Sequence, residues 1–500
     1  MVRGRLTAAR LLVLGALVTV ATATQAMSPT PSGASQGASN DGQRARAAVR
    51  AFIDAEGRGL GPHLLLSLRA LSGHDHPVSV DLLLSVFQHG SPALRPTARR
   101  VLAGYSAPDT LEHLVDAGLG HREGGVREQA LLALAVGRPA GIDWVASAVE
   151  ALEDGDPRVR AVAIYTLGRG RHKASQGRIV DMATDTSERV RAAVPGALVR
   201  LADRRALPVL ETLSSDRAWR VRLAVIVALR EIKTRGSVEL LIEILGFETG
   251  RLREDVLSAL IRLTGRNYGV SMAAWERWLA NAPAGFLAEG DEAALAPESD
   301  RGVQTVARYY GLTTTSDRFC LVTDVSTSMD LADQGRYGSG TTSRLDSTKL
   351  QLRKLIEGLD PSVSVGLITF SDDVDSWRTN LSTADKRGKQ AALREVLGYR
   401  TIGGTNVFAA LERVFQLSEA DIDQRRLKNP APDTVFLLTD GAPSVGPIRD
   451  TELLLEYVTE RNRVAQLRFH TVVLTKDAGP RDFLRALASQ TDGDSVSPLD

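Results

Sequence analysis

The sequence predicts two architectures in series: an all-α solenoid of stacked helical repeats, then an α/β domain on a doubly wound, mostly parallel sheet. Three observations carry this. An apolar-Arg pair recurs about every 31 residues through the first half, and from residue 319 short apolar runs alternate with amphipathic stretches. With 500 residues, 43% of them hydrophobic and 24% charged, the chain also has the apolar content for two or three globular cores.

That composition excludes a largely disordered chain. With 61 Lys+Arg against 60 Asp+Glu there is no global field to attract nucleic acid, and none is expected as a partner. The lone cysteine, Cys320, rules out an internal disulfide and a multi-cysteine metal site. It lies within an apolar run and reads as a small buried residue.

The first element is an export signal. Arg3, Arg5 and Arg10 precede a 13-residue apolar run, Leu11 to Ala23, and small residues lead on to Ala26. This is the order of a signal peptide, residues 1–26, cut after Ala26. The other reading is a retained membrane anchor, but such a run rises only about 20 Å as a helix, short of a ~30 Å hydrocarbon core. No later segment has 18 consecutive apolar residues, so the mature chain is expected to be extracytoplasmic, periplasmic or secreted, without stable membrane insertion. Residues 27–43, rich in Ser, Gly, Ala and Thr, read as a flexible tether.

The repeat array is expected over residues 44–284. Its marker pairs are Leu94-Arg95, Val126-Arg127, Val159-Arg160, Val190-Arg191, Val221-Arg222 and Leu252-Arg253, spaced 32, 33, 31, 31 and 31 residues apart. Eight positions after each apolar member stands a leucine: Leu102, Leu134, Leu167, Leu198, Leu229 and Leu260. Positions 0, 4, 7 and 8 share one face of a helix, so each unit carries an apolar stripe that must be covered by its neighbours. A second helix per unit is visible at 206–215 and 237–245. Asp156-Pro157 supplies an N-cap followed by proline at the first helical position. Pro195-Gly196 is expected to kink the fourth marker helix. Trp275, Trp278 and Leu279 share a face of a terminal capping helix. Two readings of the repeated arginines stand: an anion-binding ladder, or hydrogen bonds to acidic caps and loop carbonyls of the stacked units, the second being simpler. Likewise His74 and His76 form an H-x-H pair that could approach a metal, though such a pair in a polar turn is ordinarily solvated. The roughly 31-residue pattern, with D-P-R-V-R-A-V-A at 156–163, resembles HEAT-like repeats, which implies an interaction scaffold.

Residues 285–315 read as an interdomain linker, and 316–500 as the α/β domain. Strands are expected at 319–325, 362–370, 434–440 and 467–474, and helices at 347–358, 386–397, 407–417, 451–462 and 480–489. Sites in such sheets lie beyond the carboxyl ends of the strands. Three motifs fall there. Asp324, Ser326 and Ser328 form D-x-S-x-S after the first strand; Thr405 follows two glycines before a helix; Asp440 sits in Thr439-Asp440-Gly441. Alone, D-x-S-x-S reads equally as an N-cap and turn.

The set resembles the metal-ion-dependent adhesion site (MIDAS) of a von Willebrand factor type A domain at all five positions, with a Rossmann-like fold implied. The resemblance implies that Asp324, Ser326, Ser328, Thr405 and Asp440 bind a divalent cation, directly or through water. Hard cations take oxygen donors, which favours Mg²⁺ with Mn²⁺ as a substitute and Ca²⁺ less so. Two carboxylates leave room for a third from a protein partner. The expected function is therefore non-enzymatic adhesion through an acidic partner residue, with the array as a second surface. A metal-dependent hydrolase is the alternative, but no base stands beside the five: His470 is inside a strand, and Asp372 and Asp373 follow a strand end without a visible partner. An accessory subunit of an envelope assembly with a structural metal is the third reading. Arg336 and Tyr337, in the glycine-rich loop 332–343, are candidate ligand contacts.

Overall fold

The computed structural model describes residues 33–57, 61–140, 142–203, 205–283, 285–287, 304–338, 340–422 and 431–499. The expected signal peptide lies outside them. Contacts divide the chain into two units, 1–172 and 173–500. The repeat array and the α/β domain were expected to part at a linker near residue 300, whereas here the later repeats belong with the α/β domain.

The first unit opens with a helix, Gly33–Gly57, that begins inside the expected tether. The segment after Pro31 is free of proline, so no residue bars a helix from continuing back from the anchored Ala45 and Phe52, even though Gly37 and Gly42 favour it little. Helices Pro77–His89, Arg95–Ala103 and Gly124–Gly137 then stack, burying Leu83, Leu102, Val126 and Leu134 in one core. His76 is the N-cap of the first of these, its Nδ1 accepting the Val78 N–H at 3.2 Å. Asp156 caps helix Pro157–Arg169 as expected.

In the second unit the repeats continue as paired helices, Glu188–Leu201 with Ala206–Ser214, Trp219–Ile232 with Arg235–Phe247, and Gly250–Thr264 with Met272–Ala280. The helix holding Pro195 runs unbroken from Glu188 to Leu201, so the expected interruption does not end it. In the last helix Trp275 is fully buried, and its ring meets Tyr268 and Trp278 edge-on, so the aromatic cap closes the stack.

Three of the six marker arginines take the simpler of their two readings. The Arg127, Arg191 and Arg222 guanidiniums each pair with an acid of the following repeat, Asp154, Asp216 and Glu248. Each also donates Nη1 to the carbonyl six residues back, that of His121, Asp185 and Asp216. One side chain thus satisfies the loop before its own helix and fixes the next unit.

The α/β domain begins earlier than expected. Residues 307–314, assigned to the linker, form a hairpin of β1 (Ala307–Tyr309) and β2 (Leu312–Thr314). Tyr310 and Gly311 at its turn both have positive φ, +51° and +89°, as a two-residue turn matching strand twist requires. Tyr309 and Tyr310 are buried in the domain core with Phe319 and Phe436. The main sheet comprises β3 (Arg318–Asp324), β4 (Ser364–Phe370), β5 (Val374–Ser376), β6 (Ser382–Thr383), β7 (Thr434–Thr439), β8 (Arg468–Val473) and β9 (Ser495–Val496). Its order is β5-β4-β3-β7-β8-β9, with β6 also on β4. The β4-β3-β7-β8-β9 ladder is parallel, and the short edge strands β5 and β6 run antiparallel. From β3 the chain moves to β4 on one side and later to β7 on the other. The carboxyl ends of β3 and β7 therefore flank the topological switch point.

Candidate functional site

Asp324 ends β3 and is fully buried. Its Oδ1 accepts the Ser326 N–H at 2.7 Å, and its Oδ2 accepts the Thr439 hydroxyl. The turn so fixed puts Ser326 Oγ 3.0 Å from Ser328 Oγ, and Ser328 Oγ donates to Asp440 Oδ1 at 2.7 Å. Four of the five expected residues thus form one connected chain of oxygens across the switch point. Burial, the largest effect, together with the Asp440 charge pushes the Asp324 carboxyl up to about 6, against the opposing hydrogen bonds from Thr439 and Ser326.

Thr405 is brought to the same place. A Cβ added to Gly441 would lie 3.7 Å from Thr405 Oγ1, so that hydroxyl faces the Asp440–Gly441 turn. Its loop is held from two sides: Ser444 Oγ accepts the Thr405 N–H at 2.9 Å, and Asp372 Oδ1 accepts the Gly404 N–H at 2.7 Å. Asp372 therefore has a partner that spacing alone did not reveal. Gly403 makes this possible, with φ +68° and a Cβ position only 2.5 Å from Asp372 Oδ2.

The donor chemistry suits a hard divalent cation: two carboxylates and three hydroxyls at the mouth of a sheet, with no sulfur or imidazole. Among the described residues no three His, Cys, Asp or Glu side chains converge as a metal cluster, here or elsewhere.

Arg344, at the start of helix Arg344–Gly358, was not anticipated. Its Nη1 lies 2.7 Å from Asp440 Oδ2, whose side chain is fully buried. The other two loop candidates stand apart from the oxygen chain. Tyr337 turns its ring edge-on to Tyr310, 5.0 Å between centroids, and packs on the domain core. Arg336 is exposed, its backbone N–H donated to the Pro498 carbonyl at 2.8 Å. Cys320 is buried and its thiol is pushed up to about 12 by burial, as a core residue requires. His470, deep in β8, is far from being an available base: burial, reinforced by Arg468, pushes its imidazole down to about 3.

Family models match both halves of the chain. The family model for HEAT repeats matches residues 145–230, and that for the von Willebrand factor type A domain matches residues 319–442. Human inter-alpha-trypsin inhibitor heavy chain H4 is 32% identical over 111 residues, 22% of this chain and 12% of that protein. Human heavy chain H3 is 28% identical over 163 residues, 31% of this chain and 17% of that one. The chain thus spans less than a fifth of the length of either relative. Among solved structures, a von Willebrand factor type A protein from Catenulispora acidiphila aligns at TM-score 0.28 and 17% identity, over 38% of this chain and 40% of that one. The chain carries HEAT repeats followed by a von Willebrand factor type A domain.

Proposed function

We propose that this protein is a non-enzymatic binding protein whose A domain captures an acidic residue of a protein partner through a divalent cation. Asp324, Ser326, Ser328, Thr405 and Asp440 would hold the cation, Mg²⁺ foremost and Mn²⁺ in its place. When bound, the cation supplies an electrophilic centre for a further carboxylate. The observation that carries this reading is the hydrogen-bonded run from Asp324 through Ser326 and Ser328 to Asp440, spanning β3 and β7 at the switch point. Arg336, exposed on the neighbouring loop, is proposed as a partner contact, and the repeat array as a second interaction surface. The basic, apolar and small-residue order of residues 1–26 supports export of the chain, and no described helix is long and apolar enough to cross a membrane.

The test is direct. Calorimetric titration of the purified chain with Mg²⁺ and Mn²⁺ should give a one-to-one site, and Asp324→Ala should remove it. Binding to immobilised peptides bearing a single Asp or Glu should then require metal and be abolished by EDTA. Metal binding without carboxylate capture would leave the cation a structural role, and metal-dependent ester or phosphoester hydrolysis by wild type but not Asp324→Ala would make the hydrolase reading correct.

A further inference from the structure

The second unit contains a cleft of ≈ 1130 Å³ that the metal chemistry does not use. Its walls are one side of helices Trp219–Ile232 and Gly250–Thr264, the β1–β2 turn, the end of helix Thr451–Ala465 and the loop 489–494. Among the described residues its lining carries six arginines against three aspartates. Such an excess inside one concave surface concentrates positive potential where low-dielectric walls focus it.

The arginines are of two kinds. Arg200, Arg230 and Arg262 stand in the last turns of three successive marker helices, 30 and 32 residues apart. The repeat therefore presents them as a second ladder, distinct from the one that ties repeat to repeat. A cation in a helix's last turn is favourable to the helix on its own account. That effect does not explain why these three converge on one cleft, nor why Arg463 joins them from the α/β domain. Arg230 meets Asp492 at only 3.8 Å, and Asp492 is mostly exposed, so that pair is weak and open to competition.

The remaining two form the buried wall. Arg251 and Arg468 are almost wholly enclosed, and the Nε of each has no hydrogen-bond acceptor among the described residues. Asp255 Oδ2 beside them, 3.4 Å from Arg251 Nε, is likewise without a hydrogen bond. The two Nε–H groups are buried donors whose desolvation cost an incoming acceptor relieves, although the same guanidiniums also serve Glu254, Asp255 and the Gln466 carbonyl; the Asp255 oxygen, itself an acceptor, gains nothing from an anion.

We propose that this cleft binds a small polyanion bearing two or more phosphate or carboxylate groups. Its volume exceeds the usual several hundred Å³ of a small-molecule site, enough for a ligand that bridges the arginine ladder and the buried wall. Guanidiniums suit both headgroups, since each offers paired oxygens to the planar fork.

The probes are inorganic tripolyphosphate and citrate, titrated calorimetrically into the full chain at fixed ionic strength with EDTA present, so that the metal site plays no part. Saturable binding of either is expected, and the stronger of the two identifies the headgroup. Arg230→Gln with Arg262→Gln should weaken it by about tenfold or more, and Asp492→Asn should tighten it. These side chains are at the surface, and unchanged melting temperatures without ligand would show that the variants fold. Asp324→Ala should bind the probes as wild type does. Absence of saturable binding by both probes overturns the proposal, as does binding that the double variant leaves intact.

Discussion

Arg344 gives the oxygen chain a counter-ion of its own. With Asp324 and Asp440 both buried, the site would carry two uncompensated carboxylates, and the guanidinium 2.7 Å from Asp440 Oδ2 neutralises one of them. A divalent cation held by the same carboxylate must compete with that pair. Arg344→Gln should therefore raise Mg²⁺ affinity by roughly threefold to tenfold, the worth of one charge-assisted ion pair. Calorimetry on the variant checks this, and unchanged or weaker affinity would mean that the arginine supports the site rather than opposing the metal. Four of the five ligand candidates were legible because D-x-S-x-S and T-D-G are short local patterns at predicted strand ends, and Thr405 because two glycines precede it before a helix. Arg344 and Asp372 were not, because their partners lie 96 and 32 residues away and neither residue type is unusual where it stands. The packing of Tyr337 was hidden for a related reason: among glycines and polar residues it reads as a loop contact, and its ring neighbour Tyr310 stands in a hairpin that reads as linker.

At the scale of elements, the marker helices were readable because a stacked unit repeats its own requirements, and the central strands because apolar runs buried on both faces have few alternatives. β8 adds a feature that periodicity cannot show. His470 lies within it, stacked on Phe436 at 5.1 Å, with Nδ1 accepting the Asp494 N–H at 3.1 Å and Nε2 without a partner among the described residues. Arg468 and Arg251 oppose its protonation, Glu254 favours it, and the largely exposed Asp494 carboxylate stands 3.5 Å away. Its imidazole is held at about 3 in the folded chain against 6.5 when unfolded. Between those values the unfolded chain binds the proton and the native one does not, so the stability this residue contributes is complete above 6.5 and is lost as pH falls toward 3. Chemical denaturation at pH 7 and pH 5 should show wild type losing about 2 kcal/mol more than His470→Gln. Equal losses would mean that β8 admits the charged ring without cost.

Across the whole second unit, charge is sorted to opposite ends of one sheet. The oxygen chain lies beyond the carboxyl ends of β3 and β7, while the amino ends of the strands carry Arg318, Asp433 and Arg468, where the last repeats attach. Arg468 pairs with Glu254 at 3.1 Å and with Asp255, and Arg251 donates to the carbonyls of Gln466 and Asp433. Arg220 is the centre of a further set: it pairs with Glu188 at 3.1 Å and Asp421 at 2.9 Å, donates to the Ser418 carbonyl, and stacks 4.6 Å from the Trp219 ring. The contacts from repeats to A domain were not legible, because they join positions some 200 residues apart whose residue types are common on any surface. Their consequence is that the A domain is fixed by its base and presents the end carrying the oxygen chain away from the repeats that hold it. Arg220→Ala would leave Asp421 and Glu188 without their cation in a buried setting, at a cost of about 3–5 kcal/mol. Scanning calorimetry of the full chain should then show the transition of the second unit moving down and dividing, with the repeats and the A domain melting separately. The proposed Mg²⁺ binding should persist in the variant, since the oxygen chain lies at the other end of the sheet. An undivided, unshifted transition would mean that apolar packing alone joins the two, and that the arginine cluster contributes no net stability to the joint.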